Sequence, residues 1–279
     1  MNGIIIVNKE KDYTSRDVVN IVGKIINTKK IGHTGTLDPI AEGVLVLVVG
    51  KCTKLTDYLT SEYKEYVAEF ELGYITDTLD NTGKVIDVSK KEVTTEEIEK
   101  TINSFKGKYN QEVPLYSSVK IKGKKLYEYA RNNEEVILPS RLVNIKEIEL
   151  LSIDNVIKIR CLVSKGTYIR SLIRDIGKKL GTYATMTSLV RTKSGNFNIE
   201  NSFKINDIKN DNYKIISIEE VFDKYPKINV TEEEYKKISN GCKLDNSYNS
   251  EYILFYYNNE LFCIYKEYEK SKIKPFIFV

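Results

Sequence analysis

The segment Gly32–Pro39, with the sequence GHTGTLDP, gathers several groups that could do chemistry. It holds two glycines, two threonine hydroxyls, the only histidine of the chain and the carboxylate of Asp38. Segments of this composition, set between regular elements, place functional groups on a rigid frame. The pattern therefore makes Asp38 a candidate functional residue.

A second interpretation of Asp38 is structural. Aspartate before proline is a good N-cap, because its side chain accepts a backbone N–H bond while proline occupies the first helical position. In that case Asp38 caps a helix that begins at Pro39. The local sequence leaves both interpretations open.

Two neighbouring features do not indicate catalysis. His33 has no serine or cysteine nucleophile motif with it, so a catalytic triad is excluded and stacking or hydrogen bonding is the predicted role. Gly50-Lys51 follows an apolar run, but the distance from Gly43 and the presence of Cys52 do not fit a phosphate-binding loop. Nucleoside triphosphate binding is therefore not predicted.

Arginine is scarce, since most of the 43 basic residues are lysine. A position that keeps arginine is a candidate for needing the planar guanidinium, which binds carboxylate or phosphate through two bonds. Chance retention explains any single arginine equally well. The candidates are Arg16, Arg131, Arg141, Arg160, Arg170, Arg174 and Arg191.

Hydrophobic spacing predicts the elements that would hold the Gly32–Pro39 loop. Ile4–Val7 is a short strand, and a helix capped at Thr14 or Ser15 presents one apolar face as far as Ile26. Val44–Val49 is an unbroken apolar run, which predicts a strand buried on both faces. Tyr66–Leu72 alternates as a half-exposed strand does.

The second half of this region continues the mixture of strands and helices. A capping box at Thr94 begins a helix that Gly107 is placed to end. Strands are predicted at 141–151 and 156–163, and a strongly amphipathic helix runs from Ile169 to Leu180. Because several strands are consecutive, the fold class is α+β with a mixed, mostly antiparallel sheet flanked by helices.

A new series of predicted elements, one helix followed by three short strands, begins after Pro226. This predicts two domains, 1–226 and 227–279. A helix is expected from Thr231 to about Ser239. The second unit is too small for a rich core of its own and should pack on the larger one. Its predicted strands are Tyr252–Tyr257, Leu261–Tyr265 and Pro275–Val279.

Composition narrows the class of protein. The chain has 279 residues, 41% of them hydrophobic, and a formal net charge of +4. No run reaches the roughly 20 apolar residues of a membrane span, and Ile4–Val7 is too short for a signal peptide, so a cytoplasmic protein without membrane attachment is predicted. Four scattered cysteines suggest neither a metal site nor a disulfide framework.

The loop Gly32–Pro39 resembles the catalytic loop of the TruB-type tRNA pseudouridine synthases, including its aspartate. The resemblance extends over about residues 3 to 195, and the tail resembles a small PUA-like RNA-binding domain. Further blocks that resemble the family, in the expected order, are Asn8-Lys9 with Thr14-Ser15, Leu72-Gly73 with 76–83, 123–131 and 164–175.

The resemblance implies an enzyme that isomerises uridine 55 in the T-loop of tRNA to pseudouridine, without a cofactor or metal. Asp38 would be the nucleophile, Arg170 its partner, and Tyr66 a tyrosine beneath the base. The corresponding alternatives are a surface helix cation for Arg170 and ordinary strand packing for Tyr66. A monomer that needs no protein partner is expected.

The uridine must be turned out of the RNA, so planar and apolar groups should replace its lost stacking. By resemblance, His33 fills the place of the flipped base, and Tyr168 and Leu189 wall the uracil pocket. Lys9 and Lys165 would contact phosphates or loops. Three residues depart from the family pattern: Glu10 after Lys9, and Ser188 and Val190 on either side of Leu189.

Two other classes compete with this prediction. A tRNA-binding folding helper without catalysis would use the same cleft, but it predicts a missing aspartate or a spoiled pocket. A methyltransferase would want a glycine-rich cofactor loop after a strand or a cysteine nucleophile motif, and the sequence has neither. The presence of Asp38, Tyr66 and Arg170 favours the enzyme.

Overall fold

The structure is a computed structural model that describes residues 1–60, 62–269 and 271–279. The strands are β1 (Gly3–Lys9), β2 (Ile31–His33), β3 (Glu42–Val49), β4 (Lys64–Leu72), β5 (Tyr74–Thr76), β6 (Val85–Val88), β7 (Gly107–Glu112), β8 (Lys120–Ile121), β9 (Lys124–Lys125), β10 (Ser140–Ile153), β11 (Ile157–Val163), β12 (Ala184–Ser194), β13 (Phe197–Asn198), β14 (Lys227–Asn229), β15 (Leu244–Asp245), β16 (Tyr252–Tyr257), β17 (Glu260–Glu269) and β18 (Lys272–Phe278). The helices are α1 (Ser15–Ile25), α2 (Thr56–Thr60), α3 (Thr95–Asn103), α4 (Leu126–Arg131), α5 (Ile169–Leu180), α6 (Ile205–Lys209), α7 (Ile218–Val221) and α8 (Glu232–Ser239).

The main sheet has the strand order β1-β3-β12-β4-β11-β10-β7, with β2 paired to β3 and β13 to β12. Its neighbouring strands are antiparallel except for the short parallel pairing of β12 with β3. Helices α1, α3 and α5 pack apolar residues into the core of this sheet. The α+β class with a mixed, mostly antiparallel sheet is confirmed.

Local sequence explains the elements that border the loop between β2 and β3. The apolar run of β3 is buried throughout from Gly43 to Val49, as expected for a strand covered on both faces. Helix α1 begins with a reciprocal capping box between Thr14 and Asp17. Helix α5 ends at Gly181, whose φ of 72° is a left-handed conformation that glycine adopts without steric cost.

One expectation about this region was wrong, and the structure decides against one of the two interpretations of Asp38. Gly107 does not end α3, which stops at Asn103 with Ser104 as its C-cap. Gly107 instead begins β7, where its φ of +112° redirects the chain. No helix begins at Pro39 either, since Pro39 and Ile40 form a turn closed by the Ala41 N–H bonding to the Asp38 carbonyl.

The tail forms a second sheet with the order β14-β16-β17-β18-β15. Its inner side chains join one apolar cluster with those of β1 and β3, for example Tyr252 and Ile264 with Ile4 and Val46. This shared cluster agrees with the expectation that the tail packs on the larger unit. The division at residue 226 and the PUA-like assignment stay predictions.

Candidate active site

The loop between β2 and β3 is held by hydrogen bonds to the start of α1 and to β3. Ser15 at the start of α1 receives the Leu37 N–H at 2.8 Å and donates to the Leu37 carbonyl at 3.2 Å. The Thr34 N–H bonds to the Val46 carbonyl at 3.1 Å. These contacts present the Asp38 side chain at the end of the loop.

Asp38 is paired with Arg170 from the first turn of α5. The Arg170 Nε donates to Asp38 Oδ2 at 2.9 Å. The arginine side chain is only 5% exposed, whereas the aspartate side chain is 34% exposed. The carboxylate is therefore partly open to solvent, while the guanidinium that binds it is buried.

Arg170 uses all three guanidinium nitrogens. Its Nη1 donates to the Thr78 carbonyl at 2.8 Å and its Nη2 to the Tyr116 carbonyl at 3.1 Å. The guanidinium thus ties the loop of Asp38 to two further segments that are distant in sequence. A lysine ammonium is a point charge and lacks the planar fork that matches these partners.

A second carboxylate, Asp80, lies next to the pair and was not singled out from the sequence. Its Oδ2 is 3.7 Å from the Arg170 Nε, and its side chain is 7% exposed. Its Oδ1 receives hydrogen bonds from the Thr78 hydroxyl at 2.8 Å and from the Thr82 N–H at 3.1 Å. Asp80 lies in the 76–83 block, two residues from both Thr78 and Thr82, and this spacing is the signal in the sequence that points to it.

Two buried cations brace the loop from behind. Arg191 on β12, which is 2% exposed, donates to the Val44 carbonyl at 2.6 Å and to the Gly35 carbonyl at 3.1 Å. Lys9 at the end of β1 donates to the carbonyls of Tyr13 at 2.7 Å and Pro39 at 3.2 Å. Arg191 thus holds both ends of the 35–44 segment, and Lys9 holds its middle at Pro39.

The expected phosphate contact of Lys9 does not fit this geometry. Lys9 has no exposed surface, and its ammonium also donates to the Glu10 carbonyl at 3.0 Å, so all three protons are used inside the protein. Burial lowers the pKa of Lys9 to about 8. Lys9 is therefore a structural residue of the loop, as its burial and carbonyl partners require.

Tyr66 and Leu189 lie on adjacent strands, β4 and β12, where Leu189 is in register with Ala68. Both side chains are nearly buried, at 7% and 6% exposure, and both join the core cluster that includes Leu37 of the loop. Tyr168 immediately precedes α5, and the Arg141 guanidinium lies 5.3 Å from its ring centroid. The structure thus places these three predicted residues on elements that border the Asp38 loop.

His33 and Lys165 differ in environment. The His33 Nδ1 is buried and has no hydrogen-bond partner in the part of the chain that the structure describes. Burial, followed by the charges of Arg16 and Arg191, lowers the pKa of His33, which favours the neutral form of the ring. Lys165 is exposed on the segment before α5.

A solved structure and two family profiles match this chain. It resembles the crystal structure of a Cbf5-Nop10-Gar1 complex with a TM-score of 0.70 and 26% identity, covering 96% of this chain and 79% of that one. Residues 23–169 match the profile of the TruB family pseudouridylate synthase N-terminal domain. Residues 170–225 match the tRNA pseudouridylate synthase B C-terminal domain.

Curated relatives agree with this match. The tRNA pseudouridine synthase B of Clostridium tetani is 48% identical over 250 residues, which is 88% of this chain and 86% of the relative. The protein of the same name from Caldanaerobacter subterraneus is 41% identical over 282 residues, or 99% and 98% of the two chains. The fold and these relatives identify a pseudouridine synthase. The chain belongs to the TruB family of pseudouridylate synthases.

Among the described residues, no helix is long and apolar enough to cross a membrane.

Proposed function

We propose that this enzyme converts uridine 55 in the T-loop of tRNA to pseudouridine, with Asp38 as the nucleophile. The relatives of similar length are named tRNA pseudouridine synthase B, which supports tRNA as the substrate. The observation that carries the proposal is the partly exposed Asp38 carboxylate held at 2.9 Å by a buried arginine. Cytoplasmic location and a monomeric state remain predictions.

The reaction rearranges one nucleoside without net loss or gain of atoms. The bond from N1 to C1′ breaks, the uracil turns within the site, and a bond from C5 to C1′ forms. C5 gives up a proton and N1 takes one, so no oxidant or reductant is needed. A carboxylate that captures the sugar or the base divides this displacement into easier steps.

Arg170 prepares Asp38 for this role through geometry and charge. The Arg170 Nε donates to Oδ2 of Asp38. The other carboxylate oxygen of Asp38, Oδ1, is then the one that attacks the substrate. A guanidinium already desolvated and fixed by carbonyls needs no reorganisation when charge shifts during the reaction. The Thr78 and Tyr116 carbonyls supply that fixation.

The remaining predicted residues suit a flipped uridine. Tyr66 offers an aromatic face beneath the base, and Tyr168 and Leu189 offer apolar walls around it. The neutral ring of His33, with its unpaired Nδ1, can stack or hydrogen-bond where the base has left the RNA. Lys165, being exposed, can contact a phosphate and hold register.

Tritium release tests the proposal directly. An unmodified tRNA transcript carrying 5-tritiated uridine is incubated with the wild-type protein, with Asp38→Asn and with the matched control Asp154→Asn, whose aspartate is exposed in the turn between β10 and β11. Release by the wild type and the control, and none by Asp38→Asn, is expected. Affinity for RNA, measured by filter binding, should persist in all three proteins.

A different result separates the two function classes. No release by the wild-type protein, despite tight binding to the transcript, would refute the isomerase and favour a folding helper. Undiminished release by Asp38→Asn would remove Asp38 from the mechanism. Mapping the product nucleotide by chemical modification and primer extension would test position 55.

A further inference from the structure

The start of α5 is capped in a different way from the other long helices. Helices α1, α3 and α8 begin with a threonine that bonds to its own first turn, at Thr14, Thr94 and Thr231. The N-cap residue of α5 is Tyr168, whose side chain makes no such bond. A helix start leaves several N–H donors without intrahelical partners, so α5 must find a partner elsewhere.

That partner is Gln111 on β7, the last strand of the main sheet. Its Oε1 receives the Tyr168 N–H at 2.8 Å, and its Nε2 donates to the Tyr168 carbonyl at 3.1 Å. Gln111 is 0% exposed, although the residues on either side of it are exposed. One amide side chain thus pairs with both polar groups of the residue that opens α5.

The amide of Gln111 is itself oriented. The Tyr168 N–H can only donate and the Tyr168 carbonyl can only accept, so these two bonds fix which end of the amide is oxygen and which is nitrogen. The Nε2 also donates to the Tyr109 hydroxyl at 2.6 Å. A second bond joins the same two elements, from the Ser171 hydroxyl to the Glu112 carbonyl at 2.9 Å. The end of β7 therefore holds the first turn of α5 at two points.

The held segment carries two residues of the candidate active site. Tyr168 borders the proposed uracil pocket, and Arg170, two residues later, holds Asp38. A locally capped helix would fix its own first turn but not its place on the sheet, because its cap would move with it. A cap supplied by β7 ties that turn to the sheet, which also carries the loop of Asp38.

We infer that Gln111 is a positioning residue for the isomerisation, because it sets the place of Tyr168 and Arg170 relative to Asp38. This inference rests on the proposed function for its effect on rate. Misplacement of reacting groups by about 1 Å can slow an enzyme on the order of 100-fold, even when the change is remote from the chemistry. Loss of Gln111 should therefore slow the chemical step more than it weakens RNA binding.

Gln111→Leu tests the inference, since leucine keeps much of the volume and removes all three hydrogen bonds. Single-turnover tritium release should slow about 10- to 100-fold. The Kd for the transcript should change by less than about threefold, because Gln111 is buried and no phosphate can reach it. A rate within twofold of wild type, or a loss confined to Kd, would overturn the inference.

Two further variants separate positioning from a general loss of stability. Ile208→Ala creates a cavity in α6, which packs on α1 and β1, and should leave the single-turnover rate of the folded protein unchanged. Gln111→Glu keeps the shape, and its protonated form restores one acceptor and one donor. Its rate relative to wild type should rise as the pH falls from about 8 to about 6. The inference would be contradicted if Ile208→Ala slowed the reaction as much as Gln111→Leu does. It would also be contradicted if the ratio of the Gln111→Glu rate to the wild-type rate did not change with pH.

Hydrogen exchange measures the positioning without RNA. In Gln111→Leu, the amides of residues 166–171 should exchange faster, while those from Ile173 to Leu180 keep their protection. Unchanged exchange at 166–171 would overturn the inference by itself. Inactivity of the wild-type protein would instead refute the proposed function, and the exchange result would still decide what Gln111 does.

Discussion

Two arginines, one buried and one exposed, each donate three hydrogen bonds. Arg170 in the cleft binds Asp38 and two carbonyls, and its side chain is 5% exposed. Arg160 on β11 binds Glu149 at 2.7 Å and Glu65 at 3.1 Å, and its side chain is 39% exposed. By counting contacts alone, the two residues look equally important.

The difference lies in what replaces each arginine when it is removed. Water can solvate the glutamates around Arg160, so an exposed ion pair contributes only about 0 to 1 kcal/mol. Around Arg170, removal leaves carbonyls and the carboxylate of Asp80 buried without their partner, which costs several kcal/mol. The burial of its partners, more than their number, gives an arginine its influence on structure and activity.

The largest expected effect is that of Arg170→Met. It should lower the rate of pseudouridine formation at least about 1,000-fold, because it removes the charge that orients Asp38, and lower the free energy of unfolding by about 3 to 5 kcal/mol. Single-turnover kinetics and urea unfolding measure the two effects. Arg170→Lys should recover part of the stability but little of the rate, since an ammonium is a point charge without the planar fork. Full activity in either variant would show that the buried Arg170 matters no more for the reaction than the exposed Arg160.

Arg191→Met should have the second-largest effect, and that effect should be on the stability of the fold more than on the reaction rate. The Gly35 and Val44 carbonyls would lose a buried donor, which should lower the free energy of unfolding by about 3 kcal/mol. Urea unfolding at neutral pH checks this value. A loss below about 1 kcal/mol would show that water reaches these carbonyls.

His33 extends the comparison to a group that burial keeps neutral. Its folded pKa lies below the ordinary 6.5, so the unfolded chain binds more protons below that pH. The wild type should therefore lose unfolding free energy between pH 7 and pH 5, and His33→Asn should lose less of it. Because the chain has one histidine, its ring resonance in NMR gives the pKa directly; a midpoint at or above 6.5 would contradict the prediction.

Arg160→Met should have the smallest effect. The free energy of unfolding should change by less than about 1 kcal/mol, and the rate should not change, because the glutamates remain solvated. Repeating the urea unfolding at 1 M salt should erase the difference, since exposed pairs are screened. A loss comparable to that of Arg191→Met would show that exposure does not separate these sites.

Some of the fold could be predicted because the pattern is regular. The unbroken run of β3 and the amphipathic α5 were placed within two residues of their bounds, and Tyr252–Tyr257 matches β16. Strand β12 was missed. Its pairing with β4 shifts register between Met186 and Ser188 and again between Arg191 and Lys193, which breaks the alternation by which strands are identified.

The candidate site shows the same division. Asp38 and Arg170 came from a resemblance to a family, and the structure brings them into contact across 132 positions of sequence. The roles of Lys9, Asp80 and Gln111 depend on partners from distant segments, such as the Pro39 carbonyl for Lys9. Side-chain type and spacing contain no information on such carbonyls, because every residue has one.

The position of β12 in the sheet determines when the sheet can be completed during translation. This strand lies between β3 and β4, yet it is translated more than a hundred residues after either begins. A nascent chain that ends before residue 184 leaves the facing edges of β3 and β4 unpaired and lacks Arg191 behind the loop of Asp38. Asp38 is therefore translated more than 150 residues before Arg191, so the bonds from Arg191 to this loop can form only after β12 has been made.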